Sequence, residues 1–229
     1  MVYIQKYIAT EFLDRSIKNR NIINKLIQEN KPETNYYEVT DKINTLFGFV
    51  LFPAENFDSI GKETKKYILK NIKGDIVVRF KEFFKKLQND NRYGCKNAQN
   101  IRNNIDSWTT ESVWEIIKCI RHSLAHSGKN GITFLPFEEG LPDLKSIESV
   151  VFYSFYKDEK ATKQRKFVIE IMVASDGEEE SELDILIKLI IRFLRELSDE
   201  MENDEIVRKQ KNNKNEAIKF LNKIKNKKR

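Results

Sequence analysis

The sequence predicts a mainly α-helical protein with a β-hairpin set between two of its helices. Apolar residues recur at helical spacing through most of the chain, and only 8 Gly and 4 Pro interrupt its 229 residues. Between residues 150 and 173 the spacing changes to an alternation typical of half-buried strands. The hydrophobic content of 40% and aromatic content of 11% are enough for a sizeable core.

Six helices are expected in the body of the chain. They cover residues 3–29, Tyr36 to Pro53, about Thr64–Ile72, Asp75 (as N-cap) to Leu87, Thr109 or Thr110 (as N-cap) to Leu124, and a start within Asp176–Glu180 to Leu197. Pro53 is expected to end the second helix, with Glu55 and Asn56 in the turn that follows. The Asn-rich residues 89–107 are expected to form a loop and a short helix. The acidic run Glu178–Glu182 is interpreted as a solvated helix start.

Two alternating runs, one from Val150 to Tyr156 and one from Lys166 to Val173, predict the hairpin. Residues Ile132–Phe137 offer a third, shorter strand. The simplest division is one helical domain over residues 1–205, with the β-hairpin inserted at about 132–174, followed by a basic helical tail over 206–229.

Charge is concentrated in that tail. The whole chain carries a net charge of +6, and the tail has ten Lys or Arg against one acid, Glu216. Such a tail suits phosphate backbones or an acidic partner, and equally a solvated, frayed helix. No apolar run is long enough to span a membrane, and the N-terminus lacks a signal-peptide pattern. With two cysteines and no metal-ligand spacing, we expect a reduced, cytoplasmic protein without metal or cofactor.

Candidate chemistry is confined to one helical turn. The chain has two histidines, His122 and His126, and both lie beside Arg121. Histidine exchanges protons near neutral pH, and arginine presents a planar fork of donors that matches phosphate oxygens. Cleavage of RNA by its own 2′-hydroxyl needs a base, an acid and a cation for the phosphorane-like transition state, and it needs no metal.

Helix geometry sets a condition on this site. At about 100° per residue, positions 121 and 126 lie roughly 140° apart around a regular helix. Both can flank one cleft if the helix loosens near its end, where Gly128 follows. Two copies related by a two-fold axis would supply both a base and an acid. The chemistry thus favours a composite site at a homodimer interface.

The run Arg121-His122-Ser-Leu-Ala-His126 resembles the signature of HEPN ribonucleases, in which an arginine and a polar residue precede a histidine near the end of a bundle helix. Residues 37–53 (YEVTDKINTLFGFVLFP) look like the second helix of a plasmid- and defence-associated branch of that superfamily. The resemblance covers about residues 1–130 and, more loosely, 180–202. The hairpin lies outside the minimal bundle of the superfamily and is interpreted as a branch-specific insertion.

The resemblance implies a dimeric helical bundle with metal-independent endoribonuclease activity that leaves a 2′,3′-cyclic phosphate, in a toxin–antitoxin or anti-phage setting. It implies that Arg121 binds the scissile phosphate, His126 is the acid or base, and His122 is the polar helper. An antitoxin or activator protein is a further possible partner. RNA contacts are assigned to lysines of the tail, namely Lys209, Lys211, Lys214, Lys223 and Lys225. Gly128 stands where the adenylylated toxin branch has tyrosine, so regulation by that modification is not expected.

Other interpretations stay open at this stage. The chain could be a catalytically inactive HEPN-like module that binds RNA or a partner, or a helical interaction subunit without nucleic acid. His126 could be a helix-terminal residue favoured by the helix dipole, with Arg121 in a surface ion pair. His122 and His126 could ligate zinc, although Ser123 replaces the glutamate of the HExxH motif.

Overall fold

The computed structural model describes residue 18 and residues 36–58, 61–96, 104–126, 131–136, 147–157, 164–173 and 180–201. The helices are α1 (Tyr36–Asp58), α2 (Lys62–Asn71), α3 (Gly74–Asn89), a 3-10 turn (Ile105–Ser107), α4 (Thr110–Ala125) and α5 (182–201). The strands are β1 (Tyr93–Lys96), β2 (Ile132–Pro136), β3 (Ile147–Lys157) and β4 (Gln164–Met172). The helix predicted over 3–29 lies outside the described residues, apart from helical Lys18, and so does the basic tail. The predicted fold class, mainly helical with a β insertion, is confirmed.

Helix α1 continues through Pro53 to Asp58, so the prediction that it ends at proline was wrong. Glu55 and Asn56 accordingly lie in the helix and not in a turn. A proline inside a helix costs about 3 kcal/mol because it removes a hydrogen bond and crowds the preceding turn. Here the last turn carries Phe57, which is fully buried, and its ring packs edge-on against Trp114 of α4 with the ring centroids 4.8 Å apart. This packing offsets the cost of the proline.

Helices α2 and α3 match the predicted spans, but the N-cap of α3 is Lys73 and not Asp75. Asp75 lies in the first turn, where its carboxylate pairs with Arg192 of α5. The acid still meets the positive end of the helix dipole. The ion pair with Arg192 holds the Asp75 side chain in this position, and the sequence around residue 75 does not indicate this partner.

The segment between α3 and α4 contains a strand that the sequence did not predict. Asn91, at φ 59°, ends α3 in the left-handed conformation, and the Arg92 N–H donates to the Leu87 carbonyl at 2.8 Å. The chain then enters β1, which pairs antiparallel with β4. A strand of four residues is too short for a period-2 signal. The predicted short helix corresponds to the 3-10 turn.

The four strands form one antiparallel sheet in the order β1-β4-β3-β2. The predicted hairpin is confirmed as β3 and β4, with Val151 opposite Glu170, and the predicted third strand as β2. Alternate residues of β3 and β4 face the helices and are buried. They are Val150, Phe152 and Ser154 on β3, and Phe167, Ile169 and Ile171 on β4.

Helix α5 begins after Ser181, later than the predicted start within Asp176–Glu180; Glu180 is not helical, and residues 174–179 lie outside the described residues. The Asp184 N–H donates to the Ser181 hydroxyl, as at a helix N-cap, and Lys42 of α1 pairs with the Asp184 carboxylate at 2.7 Å. The interpretation of residues 178–182 as solvated is wrong for Glu182. Its side chain is 10% exposed and accepts two hydrogen bonds from Arg92 at 2.5 and 2.8 Å.

Helix α4 lies in the middle of these elements. It contacts α1, α2, α3 and β3. Trp114 of α4 stacks with Phe193 of α5 at a ring distance of 6.5 Å. Neighbours on several sides hold the helix that carries the Arg-His motif and fix which of its faces remains open to solvent.

Candidate active site

The helix that carries the motif has well-defined ends. The Thr109 N–H donates to the Ser112 hydroxyl at 3.1 Å, which makes Thr109 the N-cap, one of the two predicted candidates. The last helical residue is Ala125, and His126 follows with an extended backbone at φ −118° and ψ 146°. The helix thus ends before His126, which frees this residue from the angular position that a regular helix would impose.

One face of α4 packs into the core and a narrow stripe stays outside. The predicted buried face is confirmed, since Val113, Ile117, Ile120 and Leu124 are each less than 5% exposed. From residue 115 to the end of α4, positions 115, 118, 121, 122 and 125 are not buried, and 118, 121, 122 and 125 recur at the i, i+3, i+4, i+7 spacing of one helix side. Arg121 and His122 lie on this stripe, and His126 follows directly after the end of the helix.

A single cleft of about 300 Å³ receives all three candidate catalytic residues. Its lining residues are Lys118, Arg121, His122, Ala125 and His126. The two imidazole rings lie 4.3 Å apart between centroids and are tilted by 52°. The Nε atom of Arg121 is buried, whereas His126 is exposed. The structure therefore brings a guanidinium and two imidazoles to one place.

The model of the family described as HEPN pEK499 p136 matches residues 1–175 of the chain. The chain belongs to this HEPN family. Searches of the curated proteins and of the solved structures gave no match.

The HEPN match spans all four strands and ends after β4. The sheet is therefore inside the matched region, although it lies outside the minimal helical bundle of the superfamily. Helix α5 follows the match, and its Phe193 and Leu194 are nevertheless buried in the same core. Within the part of the chain that the structure describes, no helix is long and apolar enough to cross a membrane.

Ser123 and Leu124, which lie between His122 and His126, have structural roles. Ser123 is fully buried, and its hydroxyl donates to the Cys119 carbonyl at 2.9 Å, one turn earlier on the same helix. Leu124 lies in the core. Cys119 is a free thiol under the motif, and burial raises its pKa well above the usual range. This side of the motif fixes the helix, while the other side faces the cleft.

Sequence reasoning missed Lys118 as a cleft residue. Its ammonium lies 2.5 Å from a carboxylate oxygen of Glu115. The available signal was its position three residues before Arg121 and four before His122, which places it on the same side of a helix. The lysines assigned to RNA contact in the tail lie outside the described residues.

The cleft is suited to an anion. Its lining includes an ammonium, a guanidinium and two imidazoles, and no carboxylate. Among the described residues, no group of three or more His, Cys, Asp or Glu side chains could hold a metal ion. The two histidines alone are fewer ligands than zinc takes in its protein sites. A phosphate is the ligand that this set of donors would hold best.

Proposed function

We propose that this HEPN protein is an endoribonuclease that cuts RNA by attack of the 2′-hydroxyl and leaves a 2′,3′-cyclic phosphate. The observation that carries the proposal is the single cleft that receives Arg121, His122 and His126. These groups supply the cation and the proton-transfer groups that the reaction requires. The family match gives independent support for a nuclease or an RNA-binding module.

The proposed reaction assigns a role to each group. The Arg121 guanidinium binds two non-bridging oxygens of the scissile phosphate and stabilises the added charge of the phosphorane. As the bond from the 2′-oxygen to phosphorus forms, a basic imidazole takes the hydroxyl proton. As the bond to the 5′-oxygen breaks, an imidazolium protonates that oxygen. His126 is the exposed proton-transfer group, and the adjacent His122 ring orients it.

The assembly that we propose is a homodimer. Two-fold pairing of the clefts would place two guanidiniums and two pairs of imidazoles along one RNA strand, so that base and acid can come from different subunits. The setting is a toxin or anti-phage system in the cytoplasm, with an antitoxin or activator protein as a further partner. The reaction uses protein groups alone, without metal or cofactor.

Cleavage of total RNA in the presence of EDTA tests this function. Arg121→Ala and His126→Ala are each expected to lower the cleavage rate by at least about 100-fold, the lower range for loss of a proton-transfer group. Arg79→Ala is the matched control, because Arg79 is exposed on α3 and does not line the cleft. Circular dichroism and light scattering should show an unchanged fold and dimer. Undiminished cleavage in both cleft variants would refute the proposal.

A second candidate is a HEPN module that binds RNA without cutting it. The concentration of positive groups in the cleft favours this function as well. The same assay separates the two candidates. Binding that weakens steeply with salt, with no fragments and no 2′,3′-cyclic ends, would establish the binding module and exclude the nuclease.

A further inference from the structure

The geometry points to Lys118 as the binding group for the phosphate next to the scissile one on a single-stranded RNA. This inference rests on the proposed function, and it adds a subsite for the substrate strand. Lys118 lines the same cleft as Arg121 and His126 and is 30% exposed at its side chain. A lysine at this position does not belong to the Arg-His motif.

The spacing along α4 fits consecutive phosphates. Lys118 precedes His122 by four residues, an axial distance of about 6 Å. This rise is comparable to the separation of neighbouring phosphates on an extended strand. A cleft of about 300 Å³ is at the lower end of ligand-site volumes, so it accommodates one nucleotide while the strand continues along the helix. The next phosphate therefore arrives near residue 118.

The pair with Glu115 holds the ammonium at the cleft. Glu115 is 14% exposed at its side chain and lies one turn before Lys118 on the same helix, with a separation of 2.5 Å between the charged atoms. An ammonium has three donors, so it can keep this carboxylate and still donate to a phosphate oxygen. Glu115 does not itself line the cleft, so a phosphate in the cleft meets the ammonium and not the carboxylate.

Binding is tested first, with a short single-stranded RNA that is 2′-O-methylated and cannot be cleaved. Fluorescence anisotropy is measured between about 50 and 200 mM salt for the full chain and for Lys118→Gln and Lys118→Arg. We expect Lys118→Gln to lower the slope of log K against log salt by about 0.7, the value for one phosphate contact on a single strand. Lys118→Arg should retain the slope. Lys66→Gln, an exposed lysine on α2, controls for the loss of charge.

Cleavage kinetics then locate the contact. On a substrate cut by the wild-type protein, Lys118→Gln should raise KM and leave kcat nearly unchanged. A neutral methylphosphonate at the neighbouring linkage should raise KM for the wild-type protein and add nothing in Lys118→Gln. A fall in kcat as large as that of Arg121→Ala would overturn this placement, because Lys118 would then act at the scissile phosphate.

The outcomes separate this inference from the proposed function. Intact cleavage with an unchanged salt slope and KM in Lys118→Gln refutes the subsite and leaves the nuclease standing. A reduced salt slope in a protein that does not cut RNA supports the phosphate site and refutes the nuclease. A wild-type protein that neither binds nor cuts single-stranded RNA refutes both.

Discussion

Replacing Arg92 by alanine should destabilise the protein strongly, because Arg92 is the main partner of a buried carboxylate. The Glu182 side chain is 10% exposed and the Arg92 side chain 16%. Two guanidinium hydrogen bonds, at 2.5 and 2.8 Å, join the turn before β1 to the first turn of α5. The Met172 N–H, at 3.1 Å, ties the same carboxylate to the end of β4. The Glu182 carboxylate on α5 is thus hydrogen-bonded both to Arg92 before β1 and to the end of β4.

The size of the effect follows from what remains after the substitution. Removing one partner of a buried ion pair costs about 3–5 kcal/mol. Lys86 stays 3.3 Å from the Glu182 carboxylate, but its side chain is 64% exposed. Together with the Met172 N–H it compensates in part, so we expect the lower end, about 3 kcal/mol. For a domain of this size that corresponds to a fall in Tm of roughly 6–12 °C.

The pH dependence of the stability provides a second test of the Arg92–Glu182 ion pair. Burial raises the pKa of Glu182, but the hydrogen bonds from Arg92 and Met172 and the charge of Arg92 outweigh it, so the pKa lies below its usual range. A lowered folded pKa contributes stability above the unfolded value, about 4.3, and this is lost as the pH falls through the folded pKa. The difference in the free energy of unfolding between the wild-type protein and Arg92→Ala should therefore become smaller below about pH 4.

Urea denaturation followed by tryptophan fluorescence measures these differences, since Trp108 and Trp114 are each 3% exposed in the fold. Arg79→Ala, on the exposed side of α3, should change the free energy of unfolding by less than about 0.5 kcal/mol. In a Glu182→Gln background the cost of Arg92→Ala should be much smaller, because no charge remains unpaired. A loss below about 1 kcal/mol near pH 7, or an equal loss in both backgrounds, would refute the reasoning.

Two further predictions concern the core. Phe57→Ala should lower the free energy of unfolding by about 3–5 kcal/mol, because this fully buried ring holds the turn of α1 beyond Pro53 against Trp114; a loss under about 1 kcal/mol in urea denaturation would contradict this packing. Cys119 should resist iodoacetamide at about pH 8 in the native protein and react once urea unfolds it, because burial raises the pKa of its thiol and keeps it neutral; rapid labelling under native conditions, read by mass spectrometry, would show otherwise.

Much of the fold could be predicted from the local spacing of apolar residues. Helical spacing located α1 to α5, and alternation located β3 and β4, because each of these elements has enough residues to show its period; the shorter β2 was expected as a third strand. Strand β1 was not predicted, because four residues are too few to show an alternating pattern. Its pairing partner, β4, lies about 70 positions later in the chain. The prediction that α1 ends at Pro53 was wrong for a related reason. Its local cost is offset by the contact of Phe57 with a distant tryptophan.

The sequence by itself determined which groups are available for chemistry, since the chain has two histidines and both lie beside Arg121. Only the tertiary structure decided that these groups share a cleft, because this depends on the helix ending at Ala125 and on neighbours covering its other faces. The same holds for Lys118 and for buried Glu182, whose surroundings are built by residues far away in the chain. Local spacing fixes the side of a helix on which a residue lies, and packing decides what that side meets.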